Sequence, residues 1–224
     1  AGLHGKFKIL GQLGLGLIVG FVMYFNENIV IREKIDTTQH LTEADVLNKD
    51  CKKEAADFFR TDEIKSLKTT IPFVKKNEFD YAWLAAFAGE NTGWLRWLIY
   101  AVAVILIIVA VSNAANLTDG VDGLATGTSA ISGATLGILA YVSGNVIYSN
   151  YLNIMYIPNL GELTVFIGSF VGATIGFLWY NSFPAQIFMG DTGSLALGGI
   201  LAVFSVVIRK EILIPLLCGV FVVE

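Results

Sequence analysis

LRWLIYAVAVILIIVAVSNAANLTDGVDG, residues 95–123, is the stretch on which the fold turns. Its first eighteen residues, 95–112, contain one charged group, Arg96, and the chain then becomes polar at once with Asn113, Asn116, Asp119 and Asp122. A helix crosses the hydrocarbon of a bilayer with roughly 20 apolar residues, so the run predicts a membrane span that delivers four polar side chains to its edge. Similar apolar runs cover 9–25, 123–143, 162–180 and 193–208, and a further one begins at Glu211. The expectation is an all-α polytopic membrane protein with a bundle of about six transmembrane helices.

Composition agrees. Of the 224 residues 54% are hydrophobic and 15% charged, whereas soluble domains run near a quarter charged. A net charge of −4 offers no basic surface, so no nucleic-acid partner is expected. The cysteines, Cys51 and Cys218, sit in unlike settings, and His4 and His40 are the only histidines; neither set reads as a metal knuckle. The chain starts at Ala1 and the run from Glu211 to Glu224 is too short to span, which reads as the interior piece of a longer protein.

Between the first two spans lies a polar segment, 26–94, holding ten of the fifteen Lys/Arg and thirteen of the nineteen Asp/Glu. Leu41 to Lys68 lacks Pro and Gly and predicts short solvated helices. The segment TTIPFVKKNEFDY, 69–81, predicts a hairpin about Lys76-Asn77. Gly168, Gly172 and Gly176, at steps of four, predict a close-packed helix seam. By parity, Lys6/Lys8 and the loops 113–122 and 181–192 share one membrane face, while 26–94, 144–161 and Arg209-Lys210 share the other. The Lys/Arg count alone would call the second face cytoplasmic, although the bias weakens for a segment as long as 26–94.

The loops of the first face carry the chemistry. Neither 113–125 nor 181–194 contains Lys or Arg, yet they hold Asp119, Asp122 and Asp191. Carboxylates beside an apolar interior require a cation or a protonation shift. Asn113 and Asn116 are three apart, as are Asp119 and Asp122, and each Asp precedes a glycine (Gly120, Gly123) that favours a tight turn. Two amides and two carboxylates can converge this way on a hard cation such as Mg²⁺, which takes one or two carboxylates and completes its shell with water and phosphate. The plainer readings are helix caps for the Asn and Asp residues and for Asp191, interface anchoring for Phe188, and snorkelling for Lys6 and Lys8.

NAANLTDGVDGLATG (113–127), FMGDTGSLALGG (188–199) and, less strongly, GLHGKFKILGQ (2–12) resemble the signature segments of the phospho-N-acetylmuramoyl-pentapeptide transferases, within the polyprenyl-phosphate hexose-1-phosphate transferase superfamily. The resemblance covers the chain except about 36–70. It implies a single integral membrane transferase domain over 1–224, part of a ten-helix protein, with 26–94 as an extramembrane insert. It further implies transfer of phospho-MurNAc-pentapeptide from UDP-MurNAc-pentapeptide to undecaprenyl phosphate, giving lipid I and UMP, with Mg²⁺, at the cytoplasmic face of the bacterial inner membrane. A homodimer is also implied.

By that resemblance Asp191 is the magnesium-binding aspartate; Asp119, Asp122, Asn116 and Gly120 line the nucleotide and diphosphate site. Phe188 is the aromatic that stacks on uracil, Asn181 a pocket amide, and Lys6 a lysine near the phosphates. The family's paired aspartates would lie upstream of Ala1 and its histidine-rich loop beyond Glu224, so the chain alone is expected to be inactive. Val121 stands where the family usually has Leu. A GlcNAc-1-phosphate transferase is the runner-up. An intramembrane aspartyl protease is a reading of another class, since DTGS resembles aspartic proteases; its G-x-G-D motif fails because Phe188 lies two before Gly190. A transporter is a third, disfavoured by the lack of an internal repeat.

Overall fold

The computed structural model describes residues 5–27, 29–32, 65–70, 78–81, 83, 93–219 and 221. The elements are α1 (Gly5–Phe25), β1 (Lys68–Thr70), β2 (Glu78–Asp80), α2 (Gly93–Thr118), α3 (Leu124–Ser143), α4 (Val146–Tyr151), α5 (Gly161–Asn181) and α6 (Gly190–Val207). A 3-10 turn, Glu211–Leu213, and α7 (Ile214–Leu217) follow. Among the described residues five helices, α1, α2, α3, α5 and α6, are long and apolar enough to cross a membrane. The run from Glu211, expected to open a sixth span, is a tight turn and a four-residue helix as far as it is described.

α2 is packed between α1 and α6, and α3 lies chiefly against α5 while also touching α6. Val104, Ile108, Leu136, Leu201 and Ala202 are sealed in the resulting core. The α2–α6 approach is closest at Gly198, where an added Cβ would stand 2.6 Å from the Val111 carbonyl oxygen and 2.7 Å from Ser112 Cα. The expected seam at Gly168, Gly172 and Gly176 is not made by the described residues: a Cβ at any of the three would meet nothing within 4 Å.

Two boundaries differ instructively from the sequence reading. α2 continues through Asn113 and Asn116 to Thr118, and its polar residues there bond to protein. Ser112 Oγ donates to the Leu195 carbonyl at 2.8 Å, Asn113 Nδ2 to the Val109 carbonyl, and Thr118 Oγ1 to the Ala114 carbonyl. α6 begins at Gly190, whose φ of 65° turns the chain into the helix, so Asp191 lies in its first turn.

The two ends of the bundle are distinct. At the end opposite the acidic loops, Arg32 N donates to the Tyr156 carbonyl and Ile157 N to the Ser143 carbonyl. β1 and β2 pair antiparallel there, with Lys68 opposite Asp80 and Thr70 opposite Glu78. That is the expected hairpin; its turn at Lys76-Asn77, and the expected helices over 41–64, lie outside the described residues. Lys68 opens a strand and is not helical.

Arg209 and Lys210, read from sequence as a turn, and Glu211, read as the start of a further apolar run, are each only 2% exposed. Arg209 takes a left-handed φ of 56°, and its carbonyl accepts from Thr70 N and Thr69 Oγ1, both at 3.1 Å. Its guanidinium carbon lies 5.2 Å from the Tyr100 ring centre, in cation–π range. Lys210 Nζ donates to Thr70 Oγ1 at 2.5 Å. The hairpin is thus fastened to the end of α6.

Burial pushes the Lys210 ammonium down to about 8, partly opposed by the Glu211 charge. Unfolded lysine keeps its proton to about 10.4, so the folded state holds fewer protons between those values and stability from this group rises with pH across that window. The unfolding midpoint should therefore climb between pH 8 and 10, and the climb should vanish in Lys210→Met; an unchanged climb would show Lys210 is not its source. Gly198→Ala should lower stability by about 1–3 kcal/mol through overpacking, since backbone on α2 blocks the new methyl. A thermal midpoint equal to that of the unaltered chain would show that α6 shifts freely.

Candidate functional site

The start of α1, the ends of α2 and α5, and the starts of α3 and α6 meet at one end of the bundle. Contacts across them are direct. Lys8 Nζ lies 2.8 Å from Asp191 Oδ2, joining α1 to α6. Ser194 Oγ, one turn after Asp191, donates to Asn116 Oδ1 at 3.1 Å, joining α6 to α2. Ala185 N donates to Asp122 Oδ2 at 3.0 Å, tying the loop after α2 to the loop after α5.

The cap readings for the acidic residues fail here. α3 starts behind Gly123 and α6 behind Met189, neither with a side-chain cap bond. Asp191 instead puts negative charge in the first turn of α6, where the helix dipole favours it. Asp119 follows the end of α2, and its carboxyl is held above the usual carboxylate range, first by burial and then by the Asp191 charge. The field between them makes Asp119 and Asp191 an acidic pair.

The four polar residues of 113–122 are divided by their contacts rather than gathered on one point. Asn116 and Asp119 belong with the start of α6. Asn113 Nδ2 bonds to Gln12 Oε1 on α1 at 3.1 Å. Asp122 holds the loop 182–189. Asn181 assists it: 2% exposed, it accepts from Thr126 Oγ1 at 2.9 Å and donates to the Ile187 carbonyl at 2.9 Å. Those bonds fix the residue before Phe188, whose ring is 56% exposed at the loop's end. Gly120 is exposed in the turn between the two aspartates.

Lys6 and Lys8 part company. Two residues apart on a helix, they point to different sides. Lys8 reaches Asp191; Lys6 is exposed and borders a separate cavity with Gly5, Phe7 and Leu10. Sequence reasoning named Lys6 and missed Lys8 and Gln12. The missed signal was spacing: Lys8 and Gln12 are four apart and share a face of α1.

That face opens on a cavity of about 550 Å³ between α1, α2 and α6. One end is bordered by Lys8 and Asp191, and the walls beyond are apolar, among them Leu15, Ile200, Val203 and Phe204. The site can therefore receive an anionic group joined to an apolar chain. Among the described residues no three His, Cys, Asp or Glu cluster to hold a metal ion. Two carboxylates without a third ligand suit Mg²⁺, which draws the rest of its shell from water and phosphate.

An apolar helical bundle with carboxylates gathered at one end defines a membrane protein. Residues 66–209 match the family model described as Glycosyl transferase family 4, and the chain belongs to that family. It is 54% identical over 223 residues to the phospho-N-acetylmuramoyl-pentapeptide-transferase of Bacteroides fragilis. It is 57% and 58% identical to the proteins of that name from Flavobacterium psychrophilum and Flavobacterium johnsoniae. Each match takes in 100% of this chain and 50–53% of the relative, so the chain spans about half the length of these curated relatives.

The raised Asp119 carboxyl gives a test of the pair. An ionised Asp119 is a cost to the folded state above its folded pKa, and acid removes that cost by protonating it. Asp119→Asn should therefore raise the unfolding midpoint of metal-free protein at pH 7, with the gain shrinking as pH falls into the ordinary carboxylate range. A gain that persists undiminished at pH 4, or none at pH 7, would separate Asp119 from the Asp191 field.

Proposed function

We propose that this chain carries the acidic centre of a phospho-N-acetylmuramoyl-pentapeptide transferase, which joins phospho-MurNAc-pentapeptide from its UDP-linked form to undecaprenyl phosphate. The observation that carries this reading is the Lys8–Asp191 ion pair at the mouth of an apolar cavity, with Asp119 in the field of Asp191. The relatives' names support the muramyl reaction over GlcNAc-1-phosphate transfer and over proteolysis.

In this reading an oxygen of the lipid phosphate attacks the sugar-linked phosphorus of the diphosphate. A new P–O bond forms, the bond to the uridylate oxygen breaks, and UMP leaves with the electron pair. Both reactants are anions, so the protein's task is to bring them together against repulsion. Asp191 and Asp119 would hold Mg²⁺, which when bound offsets charge on the diphosphate and on the departing UMP. Lys8, paired with Asp191 while substrate is absent, turns its ammonium to a phosphate oxygen. Lys6, exposed at the same end of α1, adds positive charge on the approach side.

The remaining residues position. Asn116 receives the Ser194 hydroxyl and so sets the start of α6 and the direction of Asp191. Gly120 leaves the backbone of the 119–122 turn open to the diphosphate. Asn181 and Asp122 act indirectly, holding the loop that presents Phe188. Phe188 stacks on uracil. The nucleotide donor is water-soluble and made in the cytoplasm, which assigns the acidic end to the cytoplasmic face of a bacterial inner membrane and the hairpin end to the outside.

The test is UMP release by the full-length protein given Mg²⁺, undecaprenyl phosphate and UDP-MurNAc-pentapeptide. Release should require the lipid phosphate, and Asp191→Asn should slow it by about a hundredfold or more, the scale of losing one electrostatic contact in a catalytic site. Release that ignores the lipid, or near-normal turnover in the variant, would overturn the assignment.

A further inference from the structure

Gly198 and Gly199 stand side by side on α6 and answer to different demands. At Gly198 an added Cβ would strike the α2 backbone at 2.6 Å, so packing requires the glycine. At Gly199 it would meet one atom, Leu15 Cδ2 at 3.6 Å, an ordinary contact that alanine satisfies. Glycine weakens a helix interior relative to alanine, and no backbone approach at this position calls for it. What Gly199 does border is the 550 Å³ cavity, and a longer side chain there would project into that space.

The cavity has a direction. α1 and α6 both start at the acidic end, and successive turns line it on each helix: Lys8, Gly11 and Leu15 on α1, Asp191, Gly199 and Val203 on α6. At the helical rise Gly199 lies about 12 Å past Asp191 and Phe204 about 20 Å, along the line a lipid chain follows through a bilayer. Past Ser112, whose hydroxyl is taken up by the Leu195 carbonyl, the walls are apolar. Leu15 and Phe166, both on the wall, keep 38% and 57% exposure, so a chain can enter sideways from the hydrocarbon.

We propose that Gly199 determines acceptor specificity: by adding no side chain, it keeps the cavity open to the first isoprene units of the polyprenyl phosphate. This rests on the reading of the site as a polyprenyl-phosphate transferase. The charged mouth suits the phosphate end, since the Lys8 ammonium there can be shared between Asp191 and an arriving oxyanion. The depth belongs to the acceptor and not to the donor. A nucleotide sugar is polar along its length and would lose water against these walls without hydrogen bonds in return.

Two variants of the full-length protein test this, compared at folded fractions matched from the unfolding midpoints. Gly199→Leu puts a branched side chain into the cavity, and Val203→Phe enlarges the wall one turn deeper. KM is measured for undecaprenyl phosphate and for UDP-MurNAc-pentapeptide. Gly199→Leu should raise the lipid KM by about tenfold or more and Val203→Phe by roughly threefold or more, the scale of forcing extra carbons into occupied space. Donor KM should stay within about twofold in both, because the donor does not enter the depth. Gly199→Ala, whose methyl only touches Leu15, should leave both KM values within about twofold. Should Gly199→Leu fail to fold, Val203→Phe decides alone. An unchanged lipid KM in the folded variants, the result expected if a bilayer phospholipid or a further helix of the full-length protein fills the cavity, would overturn the role. Equal rises for lipid and donor would overturn it too. A wild-type enzyme that needs no lipid phosphate would instead overturn the transferase reading, and this inference with it.

Discussion

A carboxylate at the edge of an apolar bundle must find positive charge, and the loops that carry Asp119, Asp122 and Asp191 contain none. The fold answers by bringing the start of α1 to the start of α6, where Lys8 meets Asp191 at 2.8 Å. This pairing orders much of the rest. It requires α1 to pack beside α2 and α6, and it places the Lys8–Gln12 face of α1 along the cavity those helices enclose. It gives Asp191 a cation partner, while Asp119 has none among the described residues and its pKa is raised by burial and by the Asp191 charge.

The position of Asp191 is set at three levels along α6. At its start, Ser194 bonds to Asn116 and the Gly190 turn delivers the chain. In its middle, Gly198 lets α6 lie against the α2 backbone, and one turn earlier the Leu195 carbonyl receives the Ser112 hydroxyl. At its far end, Arg209 and Lys210 bind the hairpin of the polar insert. The left-handed Arg209 is a strained conformation for a residue with a side chain, and it persists because the surrounding bonds over-determine it. The hairpin, remote from the acidic end, therefore acts as an anchor for the helix that carries the central carboxylate.

The spans were legible because hydropathy is a property of composition: all five long helices fall where apolar runs predict them. Asp119 and Asp191 were legible because carboxylates in such settings are rare. What sequence could not show was pairing between distant segments. Lys8 and Lys6 look alike in one dimension, and only the rotation of α1 distinguishes them. Arg209-Lys210 reads as a turn between spans and Glu211 as the start of a further apolar run; their burial under β1 and β2 depends on hairpin residues 140 positions earlier in the chain. Asn113 and Asn116 read as loop residues because amides often end helices, whereas their partners, Gln12 and Ser194, sit on other helices.

These interhelical bonds also explain why polar residues are kept at contacts that apolar ones could fill. Within a membrane, side-chain hydrogen bonds between helices contribute about 0.6 kcal/mol on average, too little to account for assembly. Their value lies in direction. Apolar helices in lipid can slide and rotate against one another at small cost, since one methyl resembles the next. Gln12–Asn113, Asn116–Ser194 and Ser112–Leu195 each exist at one register and one rotation only. All three lie toward the acidic end, where a shift of a single residue would carry Lys8 away from Asp191. Polar contacts at this end thus exchange a small gain in stability for a defined geometry, and the meeting of Lys8 with Asp191 depends on that geometry more than on the depth of the energy minimum.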